Sequence, residues 1–359
     1  MSATYLLAGV SEAAPTFGGR AAPPHSPTGK EDGHADAIWA AKWTRTAGGG
    51  EMVVTAGADH TIKTWDPSAP AAPTSTIRPQ KSLGIVDLDV DKAETGASFL
   101  VSSTLDSVIS RWSLDGKQEG RKEFGPAQSW GISLHPRTEV LATAGQSGCV
   151  KVLSASAEGF GEELAQLEAT GSFGTAVEYS KGGNLLAVAS ETGYVSLFDA
   201  ETGSLISSFP AHSAPIRSVT FTSNLLVTGS DDKRINVFDL RALTSTSGAA
   251  GAGGRRGQVA SLGGHDGWVV KVEARNERLL ASGSSDGTIK LFDLSSPSSA
   301  LSTLRDHTGD VWSLAWAPEA AGAAPAVEGL GGAAAGLGGG RLVSAGEDGR
   351  VRWWRGSGA

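Results

Sequence analysis

ASGSSDGTIKLFD, residues 281–293, reads as a β-hairpin. A short apolar stretch runs into a small polar cluster around Asp286 and Gly287, and apolar positions then alternate up to an aromatic. Period-two alternation on both sides of a tight turn puts one face of each strand in a core, and Gly and Asp tolerate the backbone conformations of the turn. Six other stretches follow the same plan. They are VTAGADHTIKTWD (54–66), LVSSTLDSVISRWS (100–113), ATAGQSGCVKVLS (142–154), AVASETGYVSLFD (187–199), VTGSDDKRINVFD (227–239) and VSAGEDGRVRWWR (343–355). Seven copies in one chain are a structural repeat, and the repeat decides the architecture before any single residue does.

A further alternating stretch precedes each hairpin, such as IRSVTF (216–221) or WSLAW (312–316), and another follows, such as SLISSF (204–209) or ALSTL (300–304). Four strands per unit are therefore predicted. The last unit ends at WWRGSGA after its third strand, whereas an extended TYLLAGV (4–10) precedes the first unit. Pairing the two would complete the last sheet and remove an exposed edge. Three segments fit no unit: residues 11–33, 244–257 and 319–340 are low in complexity and poor in large apolar side chains, and are expected to be flexible.

The chain has 359 residues, 40% of them hydrophobic, enough for a sizeable core. A formal net charge of -8 and the lack of a dense Lys/Arg run argue against direct nucleic-acid binding. Cys149 is the single cysteine, so no internal disulfide is possible, and it is expected in the core. No apolar run of about 18 residues suggests a membrane helix. The start, MSATYLLAGVSEAAP, lacks a basic flank and a long apolar stretch, so an intracellular protein is expected. GxxxxGK[ST], HExxH and CxxC motifs are missing, and His25, His60 and His135 lie too far apart in turn or linker contexts to suggest a metal. No cofactor, metal or small-molecule substrate is expected, and no enzymatic activity.

The repeat resembles the WD-repeat β-propeller family, over nearly the whole chain. Blades in that family span about 40 to 45 residues, with GH near the start and WD near the end. The resemblance implies an all-β, single seven-bladed propeller whose last blade is closed by the N-terminal strand. It also implies a hydrogen-bonded chain of His, Ser/Thr, Asp and Trp within a blade. By position these are His34, Thr55, Asp59 and Trp65 in the first blade, and His307, Ser344, Asp348 and Trp354 in the last. The fifth and sixth blades offer His212, Thr228, Asp232 and His265, Ser282, Asp286, with Phe238 and Phe292 at the Trp position. Phenylalanine has no indole donor, so those chains end one bond early. In the second to fourth blades Lys81, Gly125 and Thr170 stand near the histidine position, and Ser147 and Thr192 at the turn position. Those blades are expected to rely more on packing. Histidine beside a carboxylate also suits catalysis, but groups spread over separate blades do not converge on one pocket, so the chains read as structural.

Propellers bind partners through loops and channel mouths. Five residues after the histidine position stand Trp39, Trp130, Arg217 and Trp312, and Trp268 occupies the corresponding loop of another blade. Strand alternation puts Trp312 in phase with Leu314 and Trp316, which suits interblade packing. The same residues also have the composition of a binding hot spot, with Asp36, Asp266 and Asp310 as neighbours able to accept a partner's arginine.

The strand before HADAIW (34–39), the stretch GSFGTAVEYSKGGNLLAVAS (171–190) and the terminal DGRVRWWRGSGA (348–359) resemble the WD-repeat subunit of the superkiller (Ski) complex. That resemblance implies a propeller that binds a tetratricopeptide scaffold subunit and, through it, an RNA helicase serving exosome-mediated cytoplasmic mRNA decay. Relatives in that family also serve in the nuclear RNA polymerase II-associated factor complex and in meiotic recombination. A rival reading comes from FDLR (238–241), which approximates the box of cullin-based ubiquitin ligase receptors but lacks its Trp.

Overall fold

A computed structural model describes residues 5–10, 33–80, 83–93, 95–146, 148–169, 171, 173–245, 257–297, 299–318 and 340–356. The expected low-complexity segments fall almost wholly outside the described residues, as do His25, Lys81, Ser147 and Thr170. The strand β1 (Tyr5–Val10) comes first. The first blade is β2 (Ile38–Arg45), β3 (Glu51–Gly57), β4 (Ile62–Trp65) and β5 (Ser75–Ile77). The second is β6 (Ile85–Val90), β7 (Phe99–Thr104), β8 (Val108–Ser113) and β9 (Gln118–Glu123). The third is β10 (Gly131–Leu134), β11 (Val140–Ala144), β12 (Cys149–Ser154) and β13 (Glu163–Glu168). The fourth is β14 (Gly174–Tyr179), β15 (Leu185–Ser190), β16 (Tyr194–Asp199) and β17 (Leu205–Pro210). The fifth is β18 (Ile216–Phe221), β19 (Leu225–Ser230), β20 (Ile235–Asp239) and β21 (Gln258–Leu262), with α1 (Leu240–Thr244) between the last two. The sixth is β22 (Val269–Ala274), β23 (Leu279–Ser284), β24 (Ile289–Asp293) and β25 (Ser302–Leu304). The seventh holds β26 (Val311–Trp316), β27 (Arg341–Gly346) and β28 (Val351–Gly356).

Each blade is a four-stranded antiparallel sheet, and the seventh takes β1 as its outer strand in the order β1-β28-β27-β26. The register runs Tyr5↔Gly356, Leu6↔Arg355, Leu7↔Trp354, Gly9↔Trp353 and Val10↔Arg352. All-β architecture, seven blades and closure by the N-terminal strand follow as the repeat predicted. The helix was not foreseen. Asp239 caps it by accepting the Arg241 N–H at 2.8 Å, and the Arg241 guanidinium donates to Asn224, so FDLR has a local structural use.

Blades stack through apolar clusters, each shared by two neighbours. Trp43, Val53 and Trp65 of the first blade meet Val343, Val351 and Trp353 of the seventh, for example. Packing alone leaves the exposed N–H groups on the inner strands unpaired, and neighbouring blades supply the partners. The Ala41 N–H donates to Ser313 Oγ (2.8 Å), Tyr179 N–H to Ser133 Oγ (3.1 Å) and Val272 N–H to Ser218 Oγ (3.2 Å). Asp87 and Asp89 accept from Ile132 and Leu134 (2.9 and 2.8 Å), and the Thr175 hydroxyl donates to the Ile216 carbonyl. Lys42 pairs with Asp89 (3.3 Å), and the Trp316 indole donates to the Glu273 carbonyl (3.0 Å). Every one of the seven seams thus carries a polar link near the axis. Among the described residues no helix is long and apolar enough to cross a membrane.

Candidate functional site

The first blade holds a continuous chain. The Trp65 indole donates to Thr55 Oγ1 (2.7 Å), which lies 2.7 Å from His34 Nε2, and His34 Nδ1 lies 2.8 Å from Asp59. In the fifth and sixth blades His212 bridges Thr228 (2.8 Å) and Asp232 (2.9 Å), and His265 bridges Ser282 (2.8 Å) and Asp286 (2.9 Å). Phe238 and Phe292 fill the Trp position there without a donor. The seventh blade differs. Trp354 donates to Ser344 (2.8 Å), which lies 2.7 Å from His307 Nε2, but the Arg352 guanidinium sits 2.7 Å from His307 Nδ1 and 2.6 Å from Asp348. Arginine only donates, so a buried guanidinium stands between imidazole and carboxylate. The second and third blades, expected to rely on packing, are joined by a hydroxyl chain from Ser103 through Ser129 (3.0 Å) to Thr143 (2.8 Å). Trp112 also donates to Ser102 (2.9 Å). Cys149 is half-buried at the start of β12, not in the core.

Burial lowers the affinity of His34, His265 and His307 for a proton below the ordinary histidine value of 6.5. Burial alone would raise Asp59, but hydrogen bonds from His34, Thr61 and Ala35 outweigh it and hold the carboxyl at about 2, against an ordinary 3.8. Asp286 and Asp348 are also held low, by His265 with Thr288 and by His307 with Arg352 respectively, against the opposing effect of burial. The unfolded chain binds protons more readily at all these groups, so stability falls as pH falls. Loss from the histidines should begin below 6.5 and loss from the carboxylates below 3.8. Urea midpoints measured across this range should fall in two steps; a midpoint that stays flat down to the carboxylate step would contradict neutral buried histidines.

The residues five beyond the histidine position gather at one end of the axis. Trp39, Val86, Thr175, Arg217, Val270 and Trp312 each fall where the pairing of an innermost strand slips, between Ile38 and Ala40 in β2 and between Val311 and Ser313 in β26, for instance. A bulge leaves one residue out of the ladder and re-aims its side chain. These six and Trp130 line an upper cavity of about 380 Å³. The expectation that Trp312 packs in phase with Leu314 and Trp316 is thereby corrected: Leu314 and Trp316 are buried, while the bulge turns the half-buried Trp312 toward the axis. Trp39 lies against Gly84, where an added Cβ would come within 2.7 Å of the ring. Trp130 packs edge-on against Phe173 at 5.7 Å.

The polar residues expected around the mouth are arranged differently. Arg217 is held by Asp231 through two hydrogen bonds (2.8 and 2.7 Å) and lies 5.6 Å over the Trp268 ring. Trp268 is 47% exposed on the rim and does not line the cavity, where Val270 takes its blade's place. Asp36 and Asp266 are exposed, and Asp36 accepts its neighbour's N–H from Ala37. The Asp310 N–H donates to Glu347, and burial with the charges of Glu347 and Asp286 raises the Asp310 carboxyl. None of the three aspartates lines the cavity. The carboxylates that do are Asp87 and Glu178, beside Lys42 and Lys271. They sit in the polar phase of IVDLDV and GTAVEY, which in an ordinary sheet faces solvent and here faces the axis. Among the described residues no cluster of metal-ligating side chains forms.

Comparison with known proteins agrees with this geometry. The WD domain, G-beta repeat family matches residues 26–66 and 298–355, and the nucleolar protein 10-like N-terminal domain family matches residues 169–322. The chain is a WD-repeat β-propeller. Among similar proteins, WD repeat-containing protein SL1-17 of Schistosoma mansoni is 29% identical over 216 residues, 59% of this chain and 69% of that protein. WD repeat-containing protein VIP3 of Arabidopsis thaliana is 28% identical over 54% of this chain and 62% of its own length. Meiotic recombination protein rec14 of Schizosaccharomyces pombe is 28% identical over 34% of this chain and 40% of its own length. The propeller thus spans less than two thirds of the latter two. The folds of WD-repeat propellers suit protein-interaction scaffolding, and the family matches name no enzyme.

Proposed function

We propose that this propeller is a non-enzymatic scaffold that captures a segment of a partner protein at its upper mouth. The observation that carries the reading is the set of half-buried tryptophans, Trp39, Trp130 and Trp312, which bulges deliver from three different blades into one cavity. Tryptophan at the centre of a desolvated pocket is the commonest anchor of protein interfaces. The partner we propose is the tetratricopeptide subunit of a Ski-type complex, linked through it to an RNA helicase and to exosome-mediated mRNA decay in the cytoplasm. Support comes from the sequence resemblance at residues 171–190 and 348–359 and from closure by a strand placed before the first blade.

A second reading, meiotic recombination, is favoured by the similarity to a relative named for that process. Native affinity purification with mass spectrometry separates the two: recovery of a tetratricopeptide protein and a helicase supports the first, and recovery of recombination proteins alone the second. Trp312→Ala should weaken capture about 30-fold, a hot-spot loss of roughly 2 kcal/mol, with circular dichroism unchanged. Undiminished capture by that variant would exclude the upper mouth.

A further inference from the structure

The upper cavity does not end at the tryptophans. A lower cavity of about 350 Å³ opens at the other end of the axis, and Lys42 and Glu178 line both, so the two meet at a waist. Three ammonium groups stand around it, from Lys42, Lys92 and Lys271, against four carboxylates, from Asp87, Asp89, Glu178 and Glu273. Asp89 is shared by Lys42 (3.3 Å) and Lys92 (2.9 Å), and Glu273 lies 3.9 Å from Lys271. Asp87 accepts the backbone N–H groups of Leu88 and Ile132 but makes no ion pair, and Glu178 makes neither an ion pair nor a hydrogen bond among the described residues. The belt is one positive charge short.

We propose that the waist receives the guanidinium of an arginine side chain from the captured partner segment, inserted along the axis past Trp39, Trp130 and Trp312 and neutralised by Glu178 with Asp87. This rests on the upper mouth being the capture site. Arginine suits the place better than lysine, because its planar, weakly hydrated cation stacks on indole faces on the way in and can bridge two carboxylates at the end. The acidic residues on the rim loops cannot serve as well, since exposed carboxylates in water contribute little to a salt bridge. Asp87 gives the insertion a pH signature. Burial pushes its carboxyl up to about 6 despite the attraction of Lys42 and Lys271, with Asp89 adding repulsion. A guanidinium beside it favours the ionised form, so capture should weaken as acid protonates the group.

The test titrates the full chain, by tryptophan fluorescence, with Ac-Ala-Arg-Ala-amide and with its citrulline counterpart, which has the same shape and no charge. The arginine peptide should bind at least tenfold more tightly, and Glu178→Gln should erase the difference while leaving the citrulline titration unchanged. In the unmodified protein the margin should also shrink between about pH 7.5 and about pH 5.5, a readout that needs no variant. Equal binding of the two peptides, or a margin that survives both Glu178→Gln and acid, overturns the proposal. If that happens while Trp312→Ala still abolishes partner capture, only the arginine site fails and the scaffold reading stands.

Discussion

Removal of residues 1–10 should lower the thermal midpoint by about 5–10 °C. The deletion strips five residue pairs from β28 and leaves its edge open. Backbone hydrogen bonds contribute about 0.5–1.5 kcal/mol each to net stability, so the loss is roughly 3–6 kcal/mol before any side-chain packing is counted. For a large domain each kcal/mol moves the midpoint by about 2 °C. The open edge should also promote association, because an unpaired strand offers a template for another chain. Differential scanning fluorimetry and light scattering check both effects; an unchanged midpoint in a monodisperse sample would mean that β1 is not a structural part of the seventh blade.

Asp348→Asn should cost about 3–5 kcal/mol, well beyond Asp59→Asn, which should cost about 1–3 kcal/mol. In the first blade the aspartate faces a neutral imidazole, and its loss breaks hydrogen bonds to His34, Thr61 and Ala35. In the seventh it also neutralises Arg352, whose side chain is only 4% exposed. A buried guanidinium without its carboxylate is far more costly than an unmade neutral bond. Replacing Arg352 by Met in the same variant should therefore recover much of the loss. Urea denaturation of the single and double variants measures the coupling, and additive losses would show that the pair does not act as a unit.

The blades were legible because each repeats a hairpin whose alternation has one reading, and the ends were legible because an unpaired strand and an incomplete sheet call for each other. Single residues were legible where a side chain has one feasible partner. His34 could only meet Asp59 once the hairpin formed, whereas Arg352 resembles Lys63 and Lys290 of other blades in sequence and behaves differently. Those lysines reach outward to Thr76 and Thr303, but Arg352 turns inward to His307. The mouth was half legible: the tryptophans were found, but alternation counts every residue and cannot show a bulge, so Trp312 looked like a core position. The acids were misplaced for a related reason. Loop aspartates such as Asp36 and Asp266 look available because they are exposed, while Asp87 and Glu178 look like ordinary solvent-facing strand residues until the ring closes around them.

Closure by β1 also sets a timetable for synthesis. The strand ends at Val10 and its partner begins at Val351, so 341 residues separate the moment one is made from the moment the other can exist. At the usual pace of about 5–20 residues per second, Tyr5–Val10 waits on the ribosome for roughly twenty seconds to a minute without its mate. Six blades can form in that time, but the circle cannot. During that interval the emerging protein is an open arc with an unmatched strand at one end, and whatever shields that strand in the cell governs how much of it becomes a ring.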